Sequence, residues 1–181
     1  TLPQVQRVLN VLRPFTPRYV TSVDATNSRF SALITPQSIS YAAFNPDGRS
    51  IAIPEGSNQV IVRDLTSRRI VFTLDVGARA SVVRYSPNGR WLAVGTARGG
   101  VVFEAATGFE RFRFTTQTAV TAMGFSLDER YLLVGRARNG AQVWDVEARA
   151  RYLDINSTPT NGRLDPIRDV GFSDNASQAY I

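Results

Sequence analysis

The chain has 181 residues, 43% hydrophobic and 20% charged, a composition that fits one globular domain able to bury a core. It has neither cysteine nor histidine, which excludes disulfides, thiolate or imidazole metal sites, Cys nucleophiles and any triad needing a His base. The net charge of +6 rests on 21 basic residues, all of them Arg, so acidic partners are attracted.

Residues 1–18 form a lead-in with two readings. Leu2, Val5, Val8, Leu9 and Leu12 follow helical spacing, with Thr1 and Pro3 as cap and first-turn residues. Alternatively Pro14 aligns with Pro54 and Val11-Leu12 is a degenerate strand, the reading preferred here. No apolar run approaches the ~18 residues of a membrane helix, so no membrane span is expected. The start at Thr1 suggests processing or trimming, and the compartment is left open with the cytoplasm favoured.

Residues 19–38 read as the outer strands of a first unit, because YVTSVDATNSRFSALI matches QVIVRDLTSRRIVFTL at 59–74 and turns Phe30, Ala32 and Ile34 inward. Three full units follow at 39–75, 76–115 and 116–155. Their openings are FNPDGRSIAI, YSPNGRWLAV and FSLDERYLLV, a recurrence of about 40 residues that dictates a repeat architecture. In each, a first strand leads through a turn to a second. NPDG and SPNG predict that turn by its chemistry, Pro presetting φ and Gly supplying positive φ, whereas SLDE keeps only Asp128 and is the weaker signal.

A loop (EGSN, TARGG or RARNG) then leads to a third strand, ending Arg63-Asp64, Phe103-Glu104 or Trp144-Asp145. The fourth strand alternates, with inward sets Ile70, Phe72 and Leu74, then Phe112 and Phe114, then Leu153 and Ile155. The second strands IAI, LAV and LLV are apolar on both faces, as for strands covered on both sides. Residues 156–181 supply the first half of a further unit, with strands at 167–172 and 177–181.

Four antiparallel strands with two apolar faces cannot be dry alone. Radial stacking of the units solves this and predicts an all-β propeller of three complete blades and two terminal half-blades. Either the half-blades join to close four blades, or the chain is an arc of a larger ring, the alternative favoured here; the rest of the propeller or another chain then covers the open blade faces.

GTARGGVVFEAATGFERFRF at 95–114 and NGAQVWDVEARARYL at 139–153 resemble the WD-repeat family, with Trp144-Asp145 as a true WD dipeptide and Asp64 and Glu104 in the same register. The resemblance spans residues 19–181. The family's Gly-His before the first strand and its Asp in the second loop are missing, so the hydrogen-bonded network joining them is incomplete here. The PD-type repeat of TolB-like proteins shares the turn sequence, but the third and fourth strands fit the WD type better. The resemblance implies a non-enzymatic scaffold for protein partners in a multiprotein assembly, with no cofactor.

On the face formed by second-to-third and fourth-to-first connections, the candidate partner-binding residues are Arg79, Arg98, Arg136, Arg138 and Arg163, with Arg168 in the same set. An acidic protein surface is the first partner expected and nucleic acid the second; a further alternative is an accessory or gating propeller of an enzyme whose catalytic domain lies elsewhere. Asp64, Glu104 and Asp145 are read as structural, binding backbone or Arg, and Trp91 and Trp144 as packing residues. Arg49, Arg90 and Arg130 recur after the turns and are also read as structural. No DxDxDG loop suggests calcium.

Overall fold

The structure is a computed structural model that describes residues 42–156, 166–173 and 179–180. The expectations for residues 1–38 and for Arg163 lie outside the described residues. The described elements are β-strands throughout, in chain order β1 (Ala43–Phe44), β2 (Ser50–Glu55), β3 (Gln59–Asp64) and β4 (Ile70–Asp75). A second set is β5 (Ala80–Tyr85), β6 (Trp91–Thr96), β7 (Gly99–Glu104) and β8 (Glu110–Thr115). A third is β9 (Val120–Phe125), β10 (Tyr131–Arg136), β11 (Ala141–Asp145) and β12 (Ala150–Ile155), and the hairpin β13 (Gly171–Phe172) with β14 (Ala179–Tyr180) follows.

Each set of four is one antiparallel meander in sequence order, the blade of a propeller. The first strands lie side by side, β1 against β5, β5 against β9 and β9 against β13, and Ser81 Oγ of β5 donates to the Val120 carbonyl of β9 at 2.7 Å. The blades are thus arranged about their first strands, and the described sheets do not close into a ring.

Strand β6 shows why these sequences stack. All six of its residues are buried; Leu92 and Val94 pack on the first blade with Val60, Val62 and Leu74, while Trp91 and Ala93 pack on the third with Val120, Leu132 and Val134. Fully burying such a side chain is worth roughly 1.5–3 kcal/mol before entropy is counted. Phe112 and Phe114 of β8 enter the same layer and meet the Trp144 ring, with centroids 6.1 and 5.2 Å apart.

Two members of the inward sets are exposed. Ile70 lies where the ladder shifts register between Val62 and Arg63, at the turn end of β4, and is 49% exposed. Leu153 is also 49% exposed, outside the cluster in which Ile167, Val170 and Phe172 pack with Val143 and Ile155.

The three inner turns share one geometry. The residue three after the turn start donates back to its carbonyl at 2.9 Å in each: Gly48 to Asn45, Gly89 to Ser86 and Glu129 to Ser126. The weak signal at SLDE therefore corresponds to the same turn, with Glu129 itself at φ 59°. A side chain there is useful: Glu129 is buried, and its carboxylate accepts the Asn88 N–H of the neighbouring blade at 2.9 Å.

Gly99 opens β7 at φ +146°, where a Cβ would lie 2.0 Å from the Phe114 carbonyl oxygen. Backbone cannot move aside as a side chain can. Gly99→Ala is expected to lower stability by about 2–3 kcal/mol, whereas Gly48→Ala, with open space around the site, costs about 1 kcal/mol from backbone preference alone; urea unfolding monitored by Trp fluorescence measures both.

Candidate interaction face

An antiparallel meander places the first-to-second and third-to-fourth turns at one end of every blade and the remaining connections at the other. The two ends differ in chemistry. At the turn end the acidic groups Asp64, Glu104 and Asp145 serve the fold. Asp64 accepts Thr66 and Ser67 N–H and the Ser67 hydroxyl; Asp145 accepts Glu147 and Ala148 N–H and pairs with Arg130 at 3.2 Å; Glu104 accepts the Thr107 hydroxyl.

The Arg49, Arg90 and Arg130 carbonyls each accept an N–H from the neighbouring turn at 2.8 Å, from Leu65, Ala105 and Val146. Arg90 and Arg111 guanidiniums lie 4.6 and 5.6 Å from the buried Trp91 ring centroid, a cation–π arrangement. The Ser67 N–H and hydroxyl hold the Asp64 carboxyl below the usual carboxylate range, and the Ala148 N–H, followed by Arg130, does the same for Asp145.

At the other end the backbone is tied down while side chains project. The segment 116–119 joins the second blade to the third. Thr116 N–H donates to the Arg98 carbonyl at 3.0 Å, and the Thr118 hydroxyl donates to the Arg138 carbonyl at 3.1 Å. Asn139 Nδ2 donates to Gln117 Oε1 at 3.2 Å. Arg98 and Arg138 therefore flank one short connection. Both are exposed, and among the described residues neither guanidinium has a hydrogen-bond or ion-pair partner.

Arg79 is exposed on the preceding connection, and Arg168 on the connection that follows the third blade. Arg136 stands apart from this set. It is 2% exposed, bonded to the Gly140, Ala141 and Asn139 carbonyls and paired with Asp154, so its guanidinium folds under the loop instead of projecting from the face. Spacing alone marked it as a loop residue, but an acid 18 residues away in β12 draws it inward.

That pairing opens onto a feature that loop positions do not disclose. A cleft of about 500 Å³ is lined by Thr115, Thr116 and Gln117 of the second blade's exit and by Arg136, Asn139, Gln142, Arg151, Asp154 and Asn156 of the third blade. The legible signal was Gln142, a polar residue inside an otherwise apolar third strand. Among the described residues, no group of three or more acidic side chains is placed to hold a metal ion, and no helix is long and apolar enough to cross a membrane.

No protein-family model matches the chain. Periodic tryptophan protein 2 of Arabidopsis thaliana is 27% identical over 135 residues, covering 70% of this chain and 15% of that protein. Small ribosomal subunit protein RACK1 of Candida albicans is 27% identical over 117 residues, covering 60% of this chain and 37% of that protein. The chain thus spans well under half the length of either relative. Among solved structures, the RRP9 WD40 repeats superpose with a TM-score of 0.67 at 18% identity, over 77% of this chain and 43% of that one. Hydrazine synthase of Kuenenia stuttgartiensis gives 0.66 at 16% identity, over 77% and 40%. At such identities the structural likeness speaks for the fold alone.

The depressed aspartates link stability to pH. A carboxyl whose folded value lies below its unfolded one contributes fully above the unfolded value and loses that contribution as pH falls through the folded one. Asp145→Asn is expected to reduce stability at neutral pH and to flatten its decline below the ordinary aspartate range. Chemical denaturation across acidic pH values measures this, and a parallel offset at every pH contradicts it.

Proposed function

The described sheets are propeller blades similar to those of WD-repeat proteins, and from that premise we propose that the chain acts as a non-enzymatic protein-interaction scaffold in a multiprotein assembly. The docking face is the end that carries Arg79, Arg98 and Arg138, and its partner is a protein with an acidic surface. The observation that carries this reading is the pinned connection that presents Arg98 and Arg138 side by side. At the turn end, Asp64, Glu104 and Asp145 hold their own turns; at the other, Arg98 and Arg138 stand unpaired on a backbone pinned through Thr116 and Thr118.

A guanidinium held on a fixed pedestal loses less freedom when it pairs with a carboxylate than one on a mobile loop. The relatives support the same reading, since one of them is by name a ribosomal subunit protein. Hydrazine synthase shows that the fold also occurs within an enzyme, so the fold does not choose between scaffold and accessory propeller. The charge distribution favours the scaffold, because the unpaired arginines face outward.

The full-length protein recovered with its partners provides the test. The triple substitution Arg79→Ala, Arg98→Ala and Arg138→Ala is expected to weaken partner binding at least about tenfold, as truncated interface arginines do, with an unchanged unfolding midpoint. Unchanged binding places the site elsewhere. A log–log salt slope of about −5 or steeper indicates phosphate neutralisation along a nucleic acid instead of a protein surface.

A further inference from the structure

The third blade carries a polar device that its sister blades lack. Aligning the ladders puts Gln142 opposite Asp154 where the first blade has Ile61 opposite Thr73 and the second has Val101 opposite Arg113. The last residue of the second strand is Glu55, then Thr96, then Arg136. Of the three described four-stranded blades, only the third combines a buried guanidinium, a buried amide and a carboxylate at these positions. Repeat packing alone does not require them, since the other two blades are built without.

The network is linked but not saturated. Asp154 accepts from Arg136 through Oδ1 and from Gln142 and Arg151, at 3.1 and 3.2 Å, through Oδ2. Gln142 Oε1 accepts the Trp144 indole N–H. Two guanidiniums thus share one carboxylate, which leaves one positive charge in excess at the cleft wall. Arg136 is the most enclosed of these groups, and among the described residues its Nη1 makes no hydrogen bond although the residue lines the cleft. A guanidinium shielded from water interacts more strongly with an anion than an exposed one.

We propose that this cleft is a binding site for a carboxylate on an extended acidic segment of a protein partner, held by Arg136 and Arg151. The side-chain amides of Gln117, Asn139 and Asn156 line the same space and can pair with peptide groups on either side of the acid. A discrete volume of about 500 Å³ with one excess charge fits a single side chain and its flanking backbone. A nucleic-acid strand calls instead for a charged track with stacking rings, and the lining contains no aromatic residue. The proposal rests on the scaffold reading and adds to it the chemical group that is recognised.

The test uses the full-length protein and a fluorescent, extended peptide containing one central Glu flanked by Gly and Ser, with its Gln counterpart as reference. Anisotropy is expected to show the Glu peptide binding about tenfold more tightly than the Gln peptide, a difference of about 1.4 kcal/mol. Arg151→Gln is expected to abolish that preference. Arg69→Gln, which removes the same charge at the turn end of the first blade, leaves it intact.

Gln117→Ala provides a second variant outside the Arg136–Asp154 pair and is expected to weaken both peptides without changing the unfolding midpoint. Equal affinity for the two peptides, or equal effects of Arg151→Gln and Arg69→Gln, overturns the assignment. Tighter binding of oligo(dT), lost with Arg151→Gln, overturns it in favour of phosphate. If the cleft fails while the triple substitution at Arg79, Arg98 and Arg138 still releases partners, the scaffold reading survives without this site; if neither has an effect, both readings fall.

Discussion

A sheet that is apolar on both faces has no stable existence in water as a single layer, and in this chain that constraint organises the described architecture. Each blade supplies half of a dry layer and depends on its neighbour for the other half. Val94 and Val101 are sealed only because Val60, Val62 and Leu74 stand opposite, and Val102 only because Val120 and Val134 do. Cooperativity follows, since removing one blade exposes two layers and not one. The ties between blades reinforce this coupling without carrying it: the Ser81 hydroxyl on the Val120 carbonyl and the Glu129 carboxylate on the Asn88 N–H satisfy groups that stacking would otherwise strand.

The same constraint decides where chemistry is available. With both faces of each sheet committed to packing, the ends and outer edges of the blades remain. At the turn end Asp145 is held by two N–H groups and an arginine, and Asp64 by Ser67 and Thr66, so their charge is already answered. The opposite end fixes its backbone by other means. Thr116 and Thr118 bond to the carbonyls of Arg98 and Arg138, leaving the side chains free to meet something else. A rigid support for unpaired guanidiniums is what an acidic partner surface requires, and it arises here from the hydrogen-bonding needs of short connections.

Periodicity made the fold legible because period-two alternation and a 40-residue recurrence report the same fact, one along a strand and the other between blades. The limits of that legibility are physical. The turn at SLDE lacks the glycine that marks its sisters, and the Glu129 side chain that stands there instead finds its partner in a neighbouring blade, a contact 41 residues distant. Arg136 looked like a loop arginine because burial depends on an acid across the β11–β12 register, which shifts between Val143 and Trp144. Alternation marks Leu153 as an inward residue, yet it is half exposed, because burial depends on what lies beyond its own sheet. Local pattern reveals elements and faces; it does not reveal which polar groups find each other across them.

The Arg136 pairing illustrates what such a group costs and why one blade bears it. Enclosing a guanidinium carries a desolvation penalty of several kcal/mol that a single carboxylate seldom offsets, and the other two described blades do without one: Glu55 and Thr96 stand where Arg136 does, and Ile61 and Val101 where Gln142 does. Stability alone therefore gives no reason to depart from the repeat at this position. The departure is coordinated: Gln142 and Asp154 face each other across the ladder, Arg136 reaches the same carboxylate from β10, and Arg151 reaches it from along β12. Three side chains, one each from β10, β11 and β12, converge on the Asp154 carboxylate beside a polar cleft. Within a repeat protein the equivalent positions serve as an internal control, and here they separate what the fold needs from what this blade adds.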